Sequence, residues 1–407
     1  MEQMKETKQM STDQILLDGQ EYVMNTYGRL PMALVKGQGT RVWDSDGKAY
    51  LDFVTGLAVT SLGHSHPEVV EAIKEQAEQI IHSSNLYWIP NQVRLAELLA
   101  ENSFADKVFF CNSGAEANEG AIKLARKYAK LNFGNHKTEI VSLKNSFHGR
   151  TLATLTATGQ TKYQNYYDPL PPGFSYAELN NSEELDSAVT ENTAALIIEP
   201  IQGEGGVYPV TQEFIQKARE ICDQKGVLLI FDEVQCGVGR TGKLFAHEWF
   251  GVTPDIMSVA KALANGVPIG AVLATDKASC FQPGDHASTF GGNFLTTAAA
   301  CKVMEIMTAE GFLQGVRKKA GYFRDKLQGL ADKYGLTEEV RGLGFILGLP
   351  VGKIGPDIVR SCSVKGLLIN CVGGETLRFL PPLTVSYEEI DEAISLLDQA
   401  FGENPAE

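Results

Sequence analysis

Two short, mostly apolar segments of the chain each end at an ionisable residue. Val227–Phe231 is followed by Asp232, and Ile256–Ala260 is followed by Lys261. Segments of this length that are flanked by turn residues are typical of buried strands in a parallel sheet. As strands, they would place the acid and the lysine at the carboxyl edge of the sheet, where open α/β sheets bind ligands. A lysine in a dry site there could form a Schiff base with a carbonyl carbon.

A second candidate element has small residues between a strand and a helix. The predicted strand Lys107–Cys111 leads into Ser113, Gly114 and Ala115, where a helix is predicted to begin. The free N–H groups and the positive dipole end of such a helix start can bind a phosphate. Because serine and glycine also serve simply to cap helices, the pattern alone leaves both interpretations open.

Two further strand ends carry polar or aromatic side chains. The predicted strand Glu139–Leu143 is followed by Phe147 and Arg150, which could stack on a planar ligand and bind a carboxylate. A packed phenylalanine and a solvated arginine fit these residues equally well. The predicted strand Ala194–Glu199 ends in an acid, and the glycine-rich loop after it contributes Glu204.

Composition excludes several classes of partner. The formal net charge of −14 argues against nucleic acid and against anionic membrane surfaces. No apolar run approaches the length that spans a membrane. The seven cysteines show no paired spacing, and residues 1–10 lack the apolar core of a signal peptide, so we expect reduced thiols and a cytoplasmic protein. His64 and His66 are only two positions apart, which is not a metal-ligand spacing, so no metal site is expected.

The length of 407 residues and the order of predicted elements suggest more than one domain. Strands and helices alternate through the middle of the chain, which favours right-handed βαβ units. Beyond residue 296 a long amphipathic helix precedes strands, the first predicted over Val340–Leu349. The predicted division is an N-terminal arm with part of a small domain (1–59), a large α/β domain with a mostly parallel sheet sandwiched by helices (60–295), and a smaller α+β domain (296–407).

Taken in order, the motifs resemble those of the class III, subgroup II, aminotransferases of the pyridoxal-phosphate fold type I superfamily. More narrowly, the chain is similar to the acetylornithine aminotransferases, from about Tyr27 to Phe401. The matching motifs are Leu30–Val35, Gly63–Pro67, Asn112–Asn118, Ser146–Thr151, Glu199–Gly206, Asp232–Gln235, Val259–Leu263, Ser288–Asn293 and Leu377–Leu383.

The resemblance implies pyridoxal 5'-phosphate as the cofactor. Lys261 matches the lysine that forms a Schiff base with it and later moves a proton, and Asp232 matches the acid that pairs with the pyridine nitrogen. Thr289 matches a residue that reaches the phosphate from the neighbouring subunit, which implies a homodimer with shared sites. The other implied cofactor contacts are Ser113, Gly114 and Ala115 at the phosphate, Phe147 and Val234 at the ring faces, and Gln235 at the phenolic oxygen.

Four residues match substrate contacts of the family. Arg378 matches the arginine that binds the α-carboxylate of glutamate or 2-oxoglutarate, and Glu204 matches the acid that pairs with it when the other substrate is bound. Arg150, with Tyr27 beside it, matches the partner of the other carboxylate. If a substrate carboxylate displaced Glu204 from Arg378, one site could accept both a terminal amine and an α-amino acid.

The resemblance implies transfer of the terminal amino group of N-acetylornithine to 2-oxoglutarate, giving N-acetylglutamate 5-semialdehyde and glutamate. The reaction would be ping-pong through pyridoxamine phosphate and would belong to arginine biosynthesis. Alternatives are the same chemistry on succinylornithine, ornithine or 4-aminobutyrate, an aminomutase of the same fold, or a non-catalytic cofactor-binding regulator. Leu57, where ornithine aminotransferases have tyrosine, favours the acylated substrate, whereas Trp88 departs from the common family pattern.

Overall fold

The structure is a computed structural model, and it describes residues 10–404. The prediction for the polar segment 1–10 therefore lies almost wholly outside the described residues. The helices are α1 (Thr12–Tyr22), α2 (Thr55–Ala58), α3 (Pro67–Gln79), α4 (Pro90–Glu101), α5 (Gly114–Phe133), α6 (Leu152–Ala157), α7 (Ser182–Ala188), α8 (Gln212–Lys225), α9 (Phe294–Thr308), α10 (Phe312–Lys333), α11 (Gly355–Lys365) and α12 (Tyr387–Glu403). Short 3₁₀ turns cover Thr161–Tyr163, Ala246–Trp249, Lys261–Ala264 and Gly352–Ile354.

The strands are distributed over three larger sheets and one small ribbon. They are β1 (Leu34–Gln38), β2 (Arg41–Asp44), β3 (Ala49–Asp52), β4 (Lys107–Cys111), β5 (Glu139–Leu143), β6 (Phe174–Ala177), β7 (Thr193–Ile198), β8 (Ile201–Gln202), β9 (Tyr208–Pro209), β10 (Leu228–Asp232), β11 (Ile256–Val259), β12 (Gly270–Ala274), β13 (Arg341–Leu343), β14 (Ile346–Pro350), β15 (Leu367–Leu368), β16 (Asn370–Val372) and β17 (Thr376–Phe379).

A seven-stranded sheet in the order β4-β12-β11-β10-β7-β5-β6 forms the centre of the molecule. Strands β11, β10, β7, β5 and β6 are parallel to one another, whereas β12 is antiparallel to both β11 and β4. Every residue of β7, β10, β11 and β12 is buried, as expected of strands that are covered on both faces. The predicted α/β class with a mostly parallel sheet is confirmed.

Helix α5 covers one face of this sheet with a row of small residues. Its Ala117, Ala121 and Ala125 are fully buried and pack in one cluster with Ile197 and Ile230 from the sheet. The small side chains let the helix approach the strands closely. This close approach places the N-terminus of α5 at the carboxyl edge of the parallel strands.

The C-terminal region contains an antiparallel sheet in the order β13-β14-β17-β16. The prediction of one continuous strand over Val340–Leu349 is wrong, because the chain reverses between β13 and β14. Gly342 and Gly344 have φ of 103° and 56° at this reversal. A Cβ on Gly344 would lie 2.3 Å from the carbonyl carbon of Thr241, so a side chain does not fit there.

The N-terminal and C-terminal regions share the remaining four-stranded sheet. β3 pairs in parallel with β15, with Leu51 opposite Leu367 and Asp52 opposite Leu368. Residues before 60 are thus hydrogen-bonded to residues beyond 296, while the exact domain limits stay a prediction.

Two further observations concern the cysteines and the apolar character of the helices. All seven cysteines are free. Within residues 10–404, no helix combines the length and apolar character needed to cross a membrane.

Candidate active site

Asp232 and Lys261 lie at the ends of two adjacent parallel strands. Asp232 is the last residue of β10 and is in register with Ser258 of β11, three residues before Lys261. Both side chains line a cavity of about 440 Å³ at the carboxyl edge of the sheet. Parallel pairing of the two strands therefore produces the juxtaposition that their sequence pattern suggested.

The backbone turns sharply at Lys261. Its φ of 40° is left-handed, which is uncommon for a residue with a side chain. No group of the described residues lies within hydrogen-bond or ion-pair distance of its amine. Burial lowers the pKa of Lys261, and the attraction of Glu204 offsets only part of this effect. A larger neutral fraction makes the amine a better nucleophile.

The carboxylate of Asp232 is fixed by three donors. Its Oδ2 accepts a hydrogen bond from Nδ2 of Asn118 at 2.7 Å and lies 2.8 Å from Nδ1 of His148. Its Oδ1 accepts from the backbone N–H of Val234 at 3.0 Å. Because an ionised carboxylate only accepts, the contact with His148 places a proton on Nδ1. With Asp232 only 4% exposed, these bonds stabilise a buried negative charge that faces the cavity.

Asn118 and His148 were not identified from the sequence. Asn118 is buried in α5 and its Oδ1 accepts from the Ser258 hydroxyl at 2.6 Å, while its amide also donates to the carbonyl of His148 at 2.7 Å. Nε2 of His148 has no partner within the part of the chain that the structure describes. The sequence offers one signal for Asn118, which is a polar residue among the small residues of a buried helix face. A buried amide needs hydrogen-bond partners, so this residue could have been predicted to bind another polar group.

The start of α5 forms another wall of the cavity. Ser113 is the N-cap, and its hydroxyl accepts from the N–H of Glu116 at 3.2 Å. Ser113, Gly114 and Ala115 all line the cavity. A Cβ on Gly114 would lie 2.6 Å from Cγ1 of Val234, so glycine is needed for this approach. Among the described residues the N–H groups of Gly114 and Ala115 have no hydrogen-bond partner, so they can bind an anion.

Phe147 and Glu199 both line the cavity and are joined by a hydrogen bond. The backbone N–H of Phe147 donates to Oε2 of Glu199 at 2.9 Å. Burial, followed by the charge of Asp232, raises the pKa of Glu199 well above its usual value. Phe147 and Val234 both line the cavity, as does the exposed Arg150.

Arg378 reaches the edge of the site from β17. Its Nη1 donates to Oε1 of Glu204 at 2.7 Å and to Oε1 of Gln235 at 3.1 Å, and its Nε donates to Oδ1 of Asn370 at 3.3 Å. Burial raises the pKa of Glu204, but the charge and hydrogen bond of Arg378, the charge of Lys261 and the hydrogen bond of Gln235 together outweigh burial, so the net pKa shift is downward. Arg378 does not itself line the cavity, whereas Glu204 and Gln235 do.

The remaining predicted residues lie outside this cavity. Tyr27 is 71% exposed, and Thr289 is also exposed. The loop around Thr289 is fastened to a neighbouring loop, since the Asn85 amide donates to the carbonyls of Ser288 and Gly291 at 3.0 and 2.9 Å. Trp88, in that neighbouring segment, is 88% exposed.

These groups fit pyridoxal phosphate. Four groups line one cavity. The free lysine suits the aldehyde and the buried carboxylate suits the pyridine nitrogen. The aromatic side chain suits a ring face, and the helix N-terminus suits the phosphate.

The comparisons with known proteins agree with this site. The family described as aminotransferase class III matches residues 22–401. An acetylornithine aminotransferase from Caldanaerobacter subterraneus is 55% identical over 94% of this chain and 98% of its own length. A succinylornithine transaminase from Salmonella paratyphi A is 48% identical over 91% and 92%. The crystal structure of an ornithine aminotransferase from Toxoplasma gondii has a TM-score of 0.93 at 32% identity, covering 97% and 96%.

The chain belongs to the class III aminotransferases, which are pyridoxal-phosphate-dependent enzymes of fold type I. The predicted family, cofactor and fold are confirmed.

Proposed function

We propose that this enzyme transfers the terminal amino group of N-acetylornithine to 2-oxoglutarate, a step in arginine biosynthesis. The observation that carries the proposal is the ion pair of the buried Arg378 with the half-buried Glu204, which lines the same cavity as Lys261. A site that must bind both an α-amino acid and a terminal amine needs a cation whose charge is neutralised when no α-carboxylate is present. The identity to acetylornithine aminotransferases, such as the 55% identical relative, supports the choice of donor.

The cofactor, when bound, supplies an electron sink that stabilises the carbanion formed at the donor carbon. Asp232 would bind its pyridine nitrogen as a charged acceptor, held in place by Asn118 and His148. Ser113, Gly114 and Ala115 would hold its phosphate at the start of α5.

The other cofactor contacts follow from their positions around the cavity. Phe147 and Val234 would bind the two ring faces, and the amide of Gln235 would donate to the phenolic oxygen. Lys261, once free, would act as the base that removes a proton from the donor carbon and then delivers it to the C4′ carbon of the cofactor. Its lowered pKa suits this task, because a neutral amine is required to accept the proton.

Substrate recognition would depend on two arginines of different character. Arg378 would bind the α-carboxylate of 2-oxoglutarate or glutamate after Glu204 has moved away from the arginine. Arg150 would bind the second carboxylate of those substrates and the α-carboxylate of acetylornithine, with Tyr27 as a helper. Rigid bidentate pairing makes arginine suitable for both tasks.

The proposal includes a cytoplasmic homodimer. The free cysteines are consistent with a reducing compartment. Thr289 is exposed and outside the cavity of its own subunit, as expected if it binds the phosphate in a partner's site. Sedimentation equilibrium of the holoenzyme tests the assembly, and a monomer at micromolar concentration would exclude shared sites.

The deciding experiment is an amino-donor panel with 2-oxoglutarate as acceptor. We expect kcat/KM to be highest for acetylornithine among acetylornithine, succinylornithine, ornithine and 4-aminobutyrate. A higher value for succinylornithine would assign the protein to the activity named for its 48% identical relative. Absence of transfer from all four donors would reject the proposed function.

A further inference from the structure

Arg150 is an unpaired cation on the wall of the cavity. Within residues 10–404 its guanidinium has no hydrogen bond and no carboxylate within ion-pair distance. It contrasts with Arg378, which donates to three side chains and is 1% exposed. Something other than polar contacts must therefore hold the long side chain of Arg150 at the cavity, because a free arginine loses considerable entropy when it is ordered.

Two aromatic rings supply that contact. The guanidinium carbon of Arg150 lies 4.0 Å from the ring centre of Tyr163 and 5.5 Å from that of Phe147. The two rings pack edge to face, with centres 6.1 Å apart and planes at 87°. Stacking occupies a face of the guanidinium, so the in-plane N–H groups stay available for bidentate binding of a carboxylate.

Tyr163 is itself held against the site by buried amides. It closes the 3₁₀ turn Thr161–Tyr163, and its N–H donates to the carbonyl of Gln160 at 3.0 Å. The Gln160 amide donates to the carbonyl of Ser146 at 2.9 Å, directly before Phe147. Gln164 on the other side donates to the hydroxyl of Tyr176 at 3.1 Å. The turn that carries Tyr163 is therefore tied to the same loop that carries Phe147 and Arg150.

We infer that Tyr163 is a positioning residue for substrate specificity: its ring holds the Arg150 guanidinium so that the free N–H edge meets a substrate carboxylate. The inference rests on the role proposed for Arg150. The Tyr163 hydroxyl has no hydrogen-bond partner in the described chain, so the ring face, and not the hydroxyl, performs this task. Loss of the ring leaves Arg150 mobile and weakens carboxylate binding without altering the chemistry at Lys261.

The test compares Tyr163→Leu, which removes the aromatic face, with Tyr163→Phe, which keeps it. With acetylornithine we expect Tyr163→Leu to raise KM roughly 3- to 10-fold at nearly constant kcat, and Tyr163→Phe to retain the KM. Tyr163→Met serves as a second non-aromatic variant if the leucine variant folds poorly, as judged by its melting temperature and bound cofactor. Equal effects of the phenylalanine and leucine variants, or an unchanged KM in both non-aromatic variants, would overturn the inference.

A double-mutant cycle with Arg150→Gln separates this inference from the proposed function. If Tyr163 acts through Arg150, Tyr163→Leu adds no further increase in KM to the Arg150→Gln enzyme. A multiplicative increase would show an independent role and reject the inference. If Arg150→Gln raises KM but Tyr163→Leu does not, the inference alone fails. If Arg150→Gln leaves KM unchanged, the carboxylate role of Arg150 fails, and the role of Tyr163 fails with it.

Discussion

The guanidinium of Arg378 donates a hydrogen bond of 2.7 Å to Glu204, although the two residues are 174 positions apart. The pair joins β17 of the C-terminal sheet to the glycine-rich loop between β8 and β9. Arg378 is 1% exposed and Glu204 is 24% exposed, so the glutamate is the partner that can turn towards solvent. The arginine, held also by Gln235 and Asn370, stays in place when the glutamate leaves.

This asymmetry predicts the effect of Glu204→Gln. The amide cannot neutralise Arg378, so the half-reaction with acetylornithine should slow while the half-reaction with glutamate is preserved or improved. Loss of a charge-assisted hydrogen bond of about 1.5–3 kcal/mol corresponds to roughly a 10- to 100-fold change in the ratio of the two kcat/KM values. Single-turnover rates of the two half-reactions measure that ratio. The matched control is Glu213→Gln on the exposed side of α8, and an equal decrease of both half-reactions in Glu204→Gln would contradict the exchange mechanism.

The positions of Asp232 and Lys261 could be predicted because they depend on local pattern. Each follows an apolar strand, and adjacent parallel strands end at the same sheet edge. The same holds for the start of α5, where a strand, a cap and small residues are contiguous. The roles of these residues came from the resemblance to the family and stay proposals.

The partners of Asp232 could not be predicted, because they depend on long-range packing. Asn118 is 114 positions from Asp232, and neither its helix nor its neighbours require a polar group. The reversal at Gly344 was missed for a related reason. Its φ of 56° is enforced by the backbone of Thr241, which belongs to a different part of the chain. The turn Thr55–Ala58 likewise has positive φ at every residue, anchored by Asp52 and the carbonyl of Leu380.

Lys261→Ala should abolish turnover. No other lysine within residues 10–404 lines the cavity, so the amine that would bind the cofactor and move the proton is lost. The variant should also lack the absorption band of a lysine-bound cofactor, which spectrophotometry of the purified protein detects. Lys74→Ala on the exposed face of α3 is the control. A Lys261→Ala enzyme that turned over at the wild-type rate would refute the assigned role.

His247 predicts a pH dependence of stability. The ring lies between Phe104 and Phe245, both nitrogens lack partners among the described residues, and burial lowers its pKa to about 4. In the unfolded chain histidine binds a proton near pH 6.5, so its contribution to stability falls as the pH falls from 6.5 to 4. Glu233 acts in the opposite sense, because burial raises its pKa to about 8 and the folded state then holds the extra proton.

His247→Phe isolates the histidine contribution. The phenylalanine removes the titrating group, so the variant should gain about 2 kcal/mol relative to wild type between pH 7.5 and pH 5. Urea unfolding of the two proteins at both pH values gives this difference, in which the contribution of Glu233 cancels. The same substitution at the exposed His136 should leave the difference near zero. An equal pH slope in wild type and His247→Phe would mean that folding does not lower the pKa of this histidine.

Asn118→Leu tests the network that holds Asp232. Leucine matches asparagine in size but cannot donate to the carboxylate, and it leaves the Ser258 hydroxyl without its acceptor. An unsatisfied buried group costs about 1–3 kcal/mol, so we expect weaker cofactor binding, roughly 10-fold, and a lower melting temperature. Equilibrium titration of the apoprotein with pyridoxal phosphate measures the first effect. Ser258→Ala removes the donor that orients Asn118 while leaving its bond to Asp232, so its loss of affinity should be smaller. An affinity in Asn118→Leu equal to that of wild type would show that His148 and the Val234 N–H suffice to hold the carboxylate.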